Sequence, residues 1–260
     1  MTRNWRELRE VAERAARSAG QLLRQMQHSV NVREKAPADL VTEADVAAQQ
    51  MIRDLLLEQT PEFGFLGEED AAGAPRSLQS AEFCWIVDPL DGTTNYVHGL
   101  DSYCVSIALC QVGDPVVGVV FDPVRDELFA AVTRQGTLLN ERPIHSSGQR
   151  QLDQALVAAS FGTRVSRDSA EIARFVEVVE RCQAIRRMGS AALNLGYVAA
   201  GRLDGYWATS AKAWDVAAGV LLIRQAGGIV TGMDGGPFRL EEPHLIAAAS
   251  GDLHAELLEA

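Results

Sequence analysis

Along the first 26 residues, apolar positions recur at spacings of mostly three and four: Trp5, Leu8, Val11, Ala12, Ala15, Ala19, Leu22, Leu23 and Met26. Arg and Glu fill the positions between them, so the segment predicts a helix with one apolar stripe. A second stripe follows Thr42, at Ala44, Ala47, Ala48, Met51, Ile52, Leu55 and Leu56, and Thr42 with Asp45 has the spacing of a capping box. Residues 30–40 between the stripes are polar and carry Pro37, which suits a hairpin or a loop.

From Phe83 the period changes. Residues 83–87 are continuously apolar and stop at Asp88-Pro89, as a strand covered on both faces does. Residues 103–112, 115–121 and 127–133 predict three further strands, with Gly113-Asp114 and Asp122-Pro123 as the turns of an antiparallel meander. Beyond Ser147 the pattern alternates. Strands are expected at 155–160, 184–187, 203–207, 229–231 and 245–249, and helices at 168–181, 190–200 and 216–225. Such alternation implies layered α/β structure. No repeat or low-complexity linker appears, so one unit with two lobes is expected, about 1–146 and about 147–260.

Composition narrows the functions. A chain of 260 residues with 47% hydrophobic and 23% charged positions is ordinary globular protein, which excludes disorder, collagen and coiled coil. With 24 basic and 35 acidic residues the net charge is −11, which repels a phosphate backbone and argues against broad nucleic-acid binding. An anionic substrate would need a cation or a set of backbone N–H groups to offset that field. Cys84, Cys104, Cys110 and Cys182 form no CxxC pair and read as reduced, mostly buried thiols. No early segment has the build of a signal peptide, and no apolar run approaches the roughly 20 residues that cross a bilayer, so a cytoplasmic protein is expected.

The chemistry concentrates in Trp85-Ile86-Val87-Asp88-Pro89-Leu90-Asp91-Gly92-Thr93-Thr94-Asn95. A strand delivers Asp88, Pro89 stiffens its exit, and Gly92 permits a sharp turn into a helix whose free N–H groups could meet an anion. Two carboxylates would repel a phosphate unless Mg²⁺ lay between them. The alternative is an Asx-type turn with Asp91 capping a helix. Gly67-Glu68-Glu69-Asp70 offers a third carboxylate or a solvated loop. Asp215, in Trp214-Asp215-Val216-Ala217-Ala218-Gly219, offers a fourth or a helix N-cap.

These pieces, with Asp39-Leu40-Val41-Thr42-Glu43-Ala44-Asp45 and Ala226-Gly227-Gly228, resemble in order and separation the inositol monophosphatase family of lithium-sensitive, Mg²⁺-dependent phosphatases. The resemblance runs from the first helix to about Ile229. It implies the layered αβαβα sandwich of the fructose-bisphosphatase and inositol monophosphatase type. Glu68, Asp88 and the Leu90 carbonyl would hold a first Mg²⁺, and Asp88, Asp91 and Asp215 a second; Glu68 would also touch a third, weaker ion. Thr93 would help Glu68 orient the attacking water, with Asp45 accepting from the Thr93 hydroxyl. The Gly92 and Thr93 amides would cradle the phosphate, and Gly189-Ser190-Ala191 matches the substrate-side turn; Asp91 and Asp215 also lie on that side. Where inositol-preferring relatives carry a hydroxyl-binding Glu, this chain has Ala208, and the basic residue before the Asp39 segment has only an offset counterpart, Lys35.

The expected function is a Mg²⁺-dependent phosphomonoesterase for a small sugar or cyclitol phosphate such as inositol 1-phosphate. Its partners would be that substrate and a second copy of the chain, with no nucleic acid and no membrane. Histidinol phosphate or another small phosphomonoester is the alternative substrate. A non-catalytic metal- and phosphate-binding partner protein is the alternative of another class. The remaining candidates read as structural: Trp85 and Trp214 as core, His98 as a loop residue satisfied by backbone, and His28, His145, His244 and His254 as surface or turn residues. Arg186-Arg187 and the arginines of 164–167 read as solvated charge.

Overall fold

A computed structural model describes residues 4–27, 32–36, 39–70, 81–162 and 165–260. The two predicted stripes are α1 (Trp5–Met26) and α2 (Glu43–Gln59). The polar stretch between them is an antiparallel hairpin, β1 (Val32–Ala36) with β2 (Asp39–Thr42). The Thr42–Asp45 capping box is formed: Thr42 N–H donates to Asp45 Oδ2 at 2.8 Å.

A seven-stranded sheet runs in spatial order β3 (Gly64–Gly67), β4 (Phe83–Asp91), β5 (Cys104–Gln111), β6 (Asp114–Asp122), β7 (Glu127–Val132), β8 (Thr137–Leu139) and β9 (Arg142–Ile144). Within this sheet only β3 and β4 pair in parallel; β5 to β7 are the expected antiparallel meander, which β4 and β8–β9 extend on either side. A five-stranded sheet has the order β11 (Ala184–Arg186), β10 (Leu156–Ser160), β12 (Gly205–Ala208), β14 (Leu245–Ala248) and β13 (Ile229–Thr231). The remaining helices are α3 (Thr93–Val97), α4 (Ala170–Arg181), α5 (Ala191–Ala199), α6 (Ala213–Gln225) and α7 (Gly251–Glu259).

Three apolar clusters make the layers. One joins α1 and α2 to the first sheet, and one sets α5 and α6 between the sheets. The third lies beneath α4 and α7 on the outer face of the second sheet. The result is an αβαβα sandwich. β4 explains its own sequence: Phe83, Trp85 and Val87 pack toward α1 and α2, Cys84 and Ile86 toward α5 and α6. Both faces are covered, so positions 83–87 are all apolar. At Asp88 the same alternation brings a carboxylate to the α6 side.

β8, β9 and α7 escape the sequence pattern. Three-residue strands are too short to display a period of two, and α7 buries only Leu253, His254 and Leu257. His254 is therefore a correction: it lies on the inner face of α7, 8% exposed, with Nε2 2.8 Å from Thr231 Oγ1. His145 and His244 are exposed, while His28, Arg164 and the side chain of Lys35 lie outside the described residues. Cys84, Cys104 and Cys110 are buried free thiols and Cys182 is half-buried. Among the described residues no helix is long and apolar enough to cross a membrane.

Candidate active site

The site grows from the end of β4. Parallel pairing sets Gly67 opposite Val87, and Glu68 N–H donates to Val87 O at 3.1 Å, so Glu68 leaves β3 beside Asp88. Asp88 opposes Ser106, whose hydroxyl donates to Trp214 O at 3.2 Å and ties the first turn of α6 to the sheet. Beyond Asp88 the ladder slips before resuming at Asp91. In that irregularity Leu90 N–H donates to Asp88 Oδ1 at 2.9 Å. Gly92 then turns at φ +97°, where a Cβ would come within 2.8 Å of Ser102 O. No other residue fits there without moving backbone.

Thr93 opens α3 with its hydroxyl 3.2 Å from Asp45 Oδ1 and 3.0 Å from Leu90 O. Asp45 is itself held, since Thr42 donates to its Oδ2 through both N–H and Oγ1. Asp91 does cap a helix, but not the one that follows it. Its carboxylate accepts Ala191 N–H at 3.2 Å, Ala192 N–H at 2.7 Å and the Ser190 hydroxyl at 2.5 Å, all at the start of α5. The half-buried Asp215 sits in the first turn of α6 and accepts Lys212 N–H at 2.7 Å, a capping contact from inside the helix.

The four acids feel one another. Burial, then Glu68, Asp91 and Asp215, push the Asp88 carboxyl well above its usual range. Burial and then Asp91 do the same to Asp215. Burial also raises Asp91, against the opposing pull of its bonds to Ser190, Ala192 and Ala191. Such a cluster is costly to ionise in a poorly solvated place unless a cation offsets it. Hard oxygen donors at this density suit Mg²⁺. Among the described residues no three acids, cysteines or histidines already converge as a ligand set. The bonds of Asp91 and Asp215 explain that, because both carboxylates are turned onto backbone amides.

Other expected positions resolve differently. Asp70 is structural, held by Arg53, by Gln49 Nε2 at 3.2 Å and by Gly67 N–H at 3.2 Å. Glu69 N–H donates to Gln49 Oε1 at 2.8 Å, so α2 clamps the acidic loop. Ser190 and Ala208 are both 0% exposed, and the Ser190 hydroxyl and Ala191 N–H are spent on Asp91 rather than held open for a substrate. Gly189, at φ +81°, would place a Cβ 2.8 Å from Asn95 Nδ2. Arg187 is not purely solvated: its guanidinium lies 4.1 Å over the Phe161 ring and donates to Phe161 O. Trp85 is fully buried and donates to Thr60 Oγ1, whereas Trp214 is only partly buried against the core. His98 is exposed, its backbone N–H satisfied by Thr94 O. The sequence missed Gln49 and the bridging role of Asn95, which donates to both Ser102 O and Met188 O at 2.7 Å. Gln49 carried one signal, a polar residue inside an apolar helix stripe.

An αβαβα sandwich with acids gathered where β3, β4 and α6 meet is the architecture of the fructose-bisphosphatase-like phosphatases. The model of the inositol monophosphatase family matches residues 4–260, and the chain belongs to that family. It is a phosphoric monoester hydrolase. Inositol-1-monophosphatase of Synechocystis is 41% identical over 96% of this chain and 87% of its own length. The Nus factor SuhB of Pasteurella multocida is 39% identical over 92% and 90%. The solved structure of extragenic suppressor protein suhB from Bartonella henselae superposes with a TM-score of 0.89 at 37% identity, covering 96% of each chain.

Proposed function

We propose that the chain is a cytoplasmic, Mg²⁺-dependent phosphomonoesterase acting on a small sugar or cyclitol phosphate such as inositol 1-phosphate. The observation that carries this is that Asp88, Asp91 and Asp215 are each disfavoured as an anion, first by burial, with neighbouring carboxylates, Glu68 among them, adding to it for Asp88 and Asp215. Glu68, Asp88 and the Leu90 carbonyl would hold one cation, and Asp88, Asp91 and Asp215 a second. Divalent ions there would supply a more acidic attacking water and neutralise charge on the leaving oxygen. Glu68 and Thr93 would orient that water, and Asp45, fixed by Thr42, accepts from Thr93. The Gly92 and Thr93 amides at the start of α3 receive phosphate oxygens as charge builds on them. No side chain attacks phosphorus.

The Synechocystis relative supports an inositol phosphate as substrate. Ala208 argues for a broader alcohol range, because a methyl accepts no hydroxyl hydrogen bond. Phosphate release from inositol 1-phosphate, histidinol phosphate and other small monoesters, each with and without Mg²⁺, tests the reading. Mg²⁺-independent release, or none from any monoester, overturns it. The Pasteurella relative, named as a Nus factor, favours a second reading in which the protein acts through a macromolecular partner. Glu68, Thr93 and Asp45 weigh toward catalysis, since a binder needs no water-orienting set. The phosphatase reading takes the working unit as a homodimer, which light scattering measures directly.

A further inference from the structure

Ser190 lies on the turn between β11 and α5 and is fully buried. Its hydroxyl oxygen accepts Leu193 N–H at 3.2 Å, as a helix N-cap does, and this directs its own hydrogen elsewhere. That hydrogen goes to Asp91 Oδ2, 2.5 Å away. Oδ2 also accepts Ala192 N–H at 2.7 Å and, more weakly, the Cys104 thiol at 3.7 Å, so both of its lone pairs are engaged. Oδ1 accepts only the longer Ala191 N–H bond, at 3.2 Å, among the described residues. One oxygen of the carboxylate is therefore scaffold, and the other keeps a lone pair in hand.

The turn that carries Ser190 is pinned independently. Asn95 Nδ2 donates to Met188 O at 2.7 Å, and the Ser102 hydroxyl reaches the same carbonyl at 3.3 Å. Asn95 follows Asp91 by four residues, so the segment bearing the carboxylate also fixes the segment that bonds it. A carboxylate among other acids is restrained by such donors, because its rotation would leave buried N–H groups without partners.

We propose that Ser190 is a positioning residue for Asp91: by saturating Oδ2 it leaves Oδ1 to a divalent cation and ties cation affinity to the start of α5. The inference rests on the metal-site reading above and assigns Ser190 a role other than substrate contact. Outer partners of metal ligands are worth about 10–100-fold in metal affinity. A helix cap alone would change folding stability but not affinity.

The test is calorimetric titration of the purified, metal-stripped protein with Mg²⁺ alone. Ser190→Gly deletes the hydroxyl while remaining a competent N-cap. It should bind Mg²⁺ about 10–100-fold more weakly with little change in metal-free melting temperature. Ser190→Ala should lose the same affinity, and Ser190→Thr, which keeps the hydroxyl, should recover it. Wild-type affinity in Ser190→Gly overturns the inference, as does equal weakening in Ser190→Thr, which would trace the loss to packing. Asp88→Asn separates the two levels. If it binds Mg²⁺ like wild type, the metal-site reading fails and this inference with it; if it loses Mg²⁺ while Ser190→Gly does not, only the inference fails.

Discussion

β4 and β12 are both interior strands of their sheets, and both run out toward the same acids, yet they end differently. β4 ends in Asp88 and Asp91, each bonded to backbone amides, and passes through a glycine that no other residue could replace. β12 ends in Ala208, a buried methyl, and continues through the exposed Ser210 and Lys212 before α6 begins. At the first end Asp91 and Thr93 are each held by two or more contacts, and Asp88 by the Leu90 amide. At the second, packing alone decides what occupies the wall. On the proposed reading, the chemistry is built where the backbone holds the acids, and selectivity for the alcohol would lie where a substitution changes least else.

That contrast sets the expected sizes of perturbations. Asp88→Asn strikes the over-determined end. Losses in outer partners run about 10–100-fold, so if Asp88 holds both cations as proposed, its loss should cost at least about a hundredfold in kcat/KM. Steady-state phosphate release at moderate Mg²⁺ measures it, and near-normal turnover would remove Asp88 from its role.

Lithium probes the same end through Asp91 and Asp215. At high Mg²⁺, LiCl should inhibit turnover while NaCl at equal ionic strength does not. Equal responses to the two salts would contradict a second, exchangeable cation site.

Without a cation the acid cluster should destabilise the fold in a pH-dependent way. Asp88, Asp91 and Asp215 are raised above the usual 3.8, so the unfolded chain sheds these protons first. Metal-free stability is then greatest below that pH and falls as pH rises from it through the folded-state values. A cation at about 100 times its Kd adds about 2.7 kcal/mol, or roughly 5–10 °C in Tm for a chain this size. EDTA should lower Tm by that order at pH 7.5 and by clearly less near pH 5. A gap independent of pH would mean that protons and cations do not compete there.

The smallest effect is expected at β12. With no carboxylate at position 208 to pair a ring hydroxyl, discrimination should be only about 1–3 kcal/mol, so the wild type should prefer inositol 1-phosphate modestly. Ala208→Glu should move kcat/KM toward that substrate about tenfold, within the same range. The exposed Lys212, four residues further along the chain, would have to supply the counter-ion, since the buried carboxylate otherwise adds to an acidic cluster. Strong wild-type preference, unmoved by the substitution, would show that the wall is read by other residues.

Much of this was legible without coordinates. The α1 stripe, the Thr42–Asp45 box, the two-faced β4 run and the glycine after Asp91 each declare themselves within a few residues. Hidden were contacts that leave no local trace. Asp70 sits in the same acidic triplet as Glu68, yet pairs with Arg53 and Gln49 of α2. His254 shows no pattern until α7 packs on β13.

Sequence by itself therefore determined the longer elements, though not β8, β9 or α7, together with the identity of the acids and the turn that carries two of them, because periodicity, capping and glycine's left-handed φ act between residues at most a few positions apart. Only the tertiary structure decided what each acid does. Asp91 meets Ala191 across a separation of 100 residues, and Ser106 meets Trp214 across 108. Which carboxylate becomes a helix cap, which stays near its neighbours and which is neutralised by an arginine follows from how two sheets close on α5 and α6. That closure is set by burial of the whole core, which no short stretch of sequence encodes.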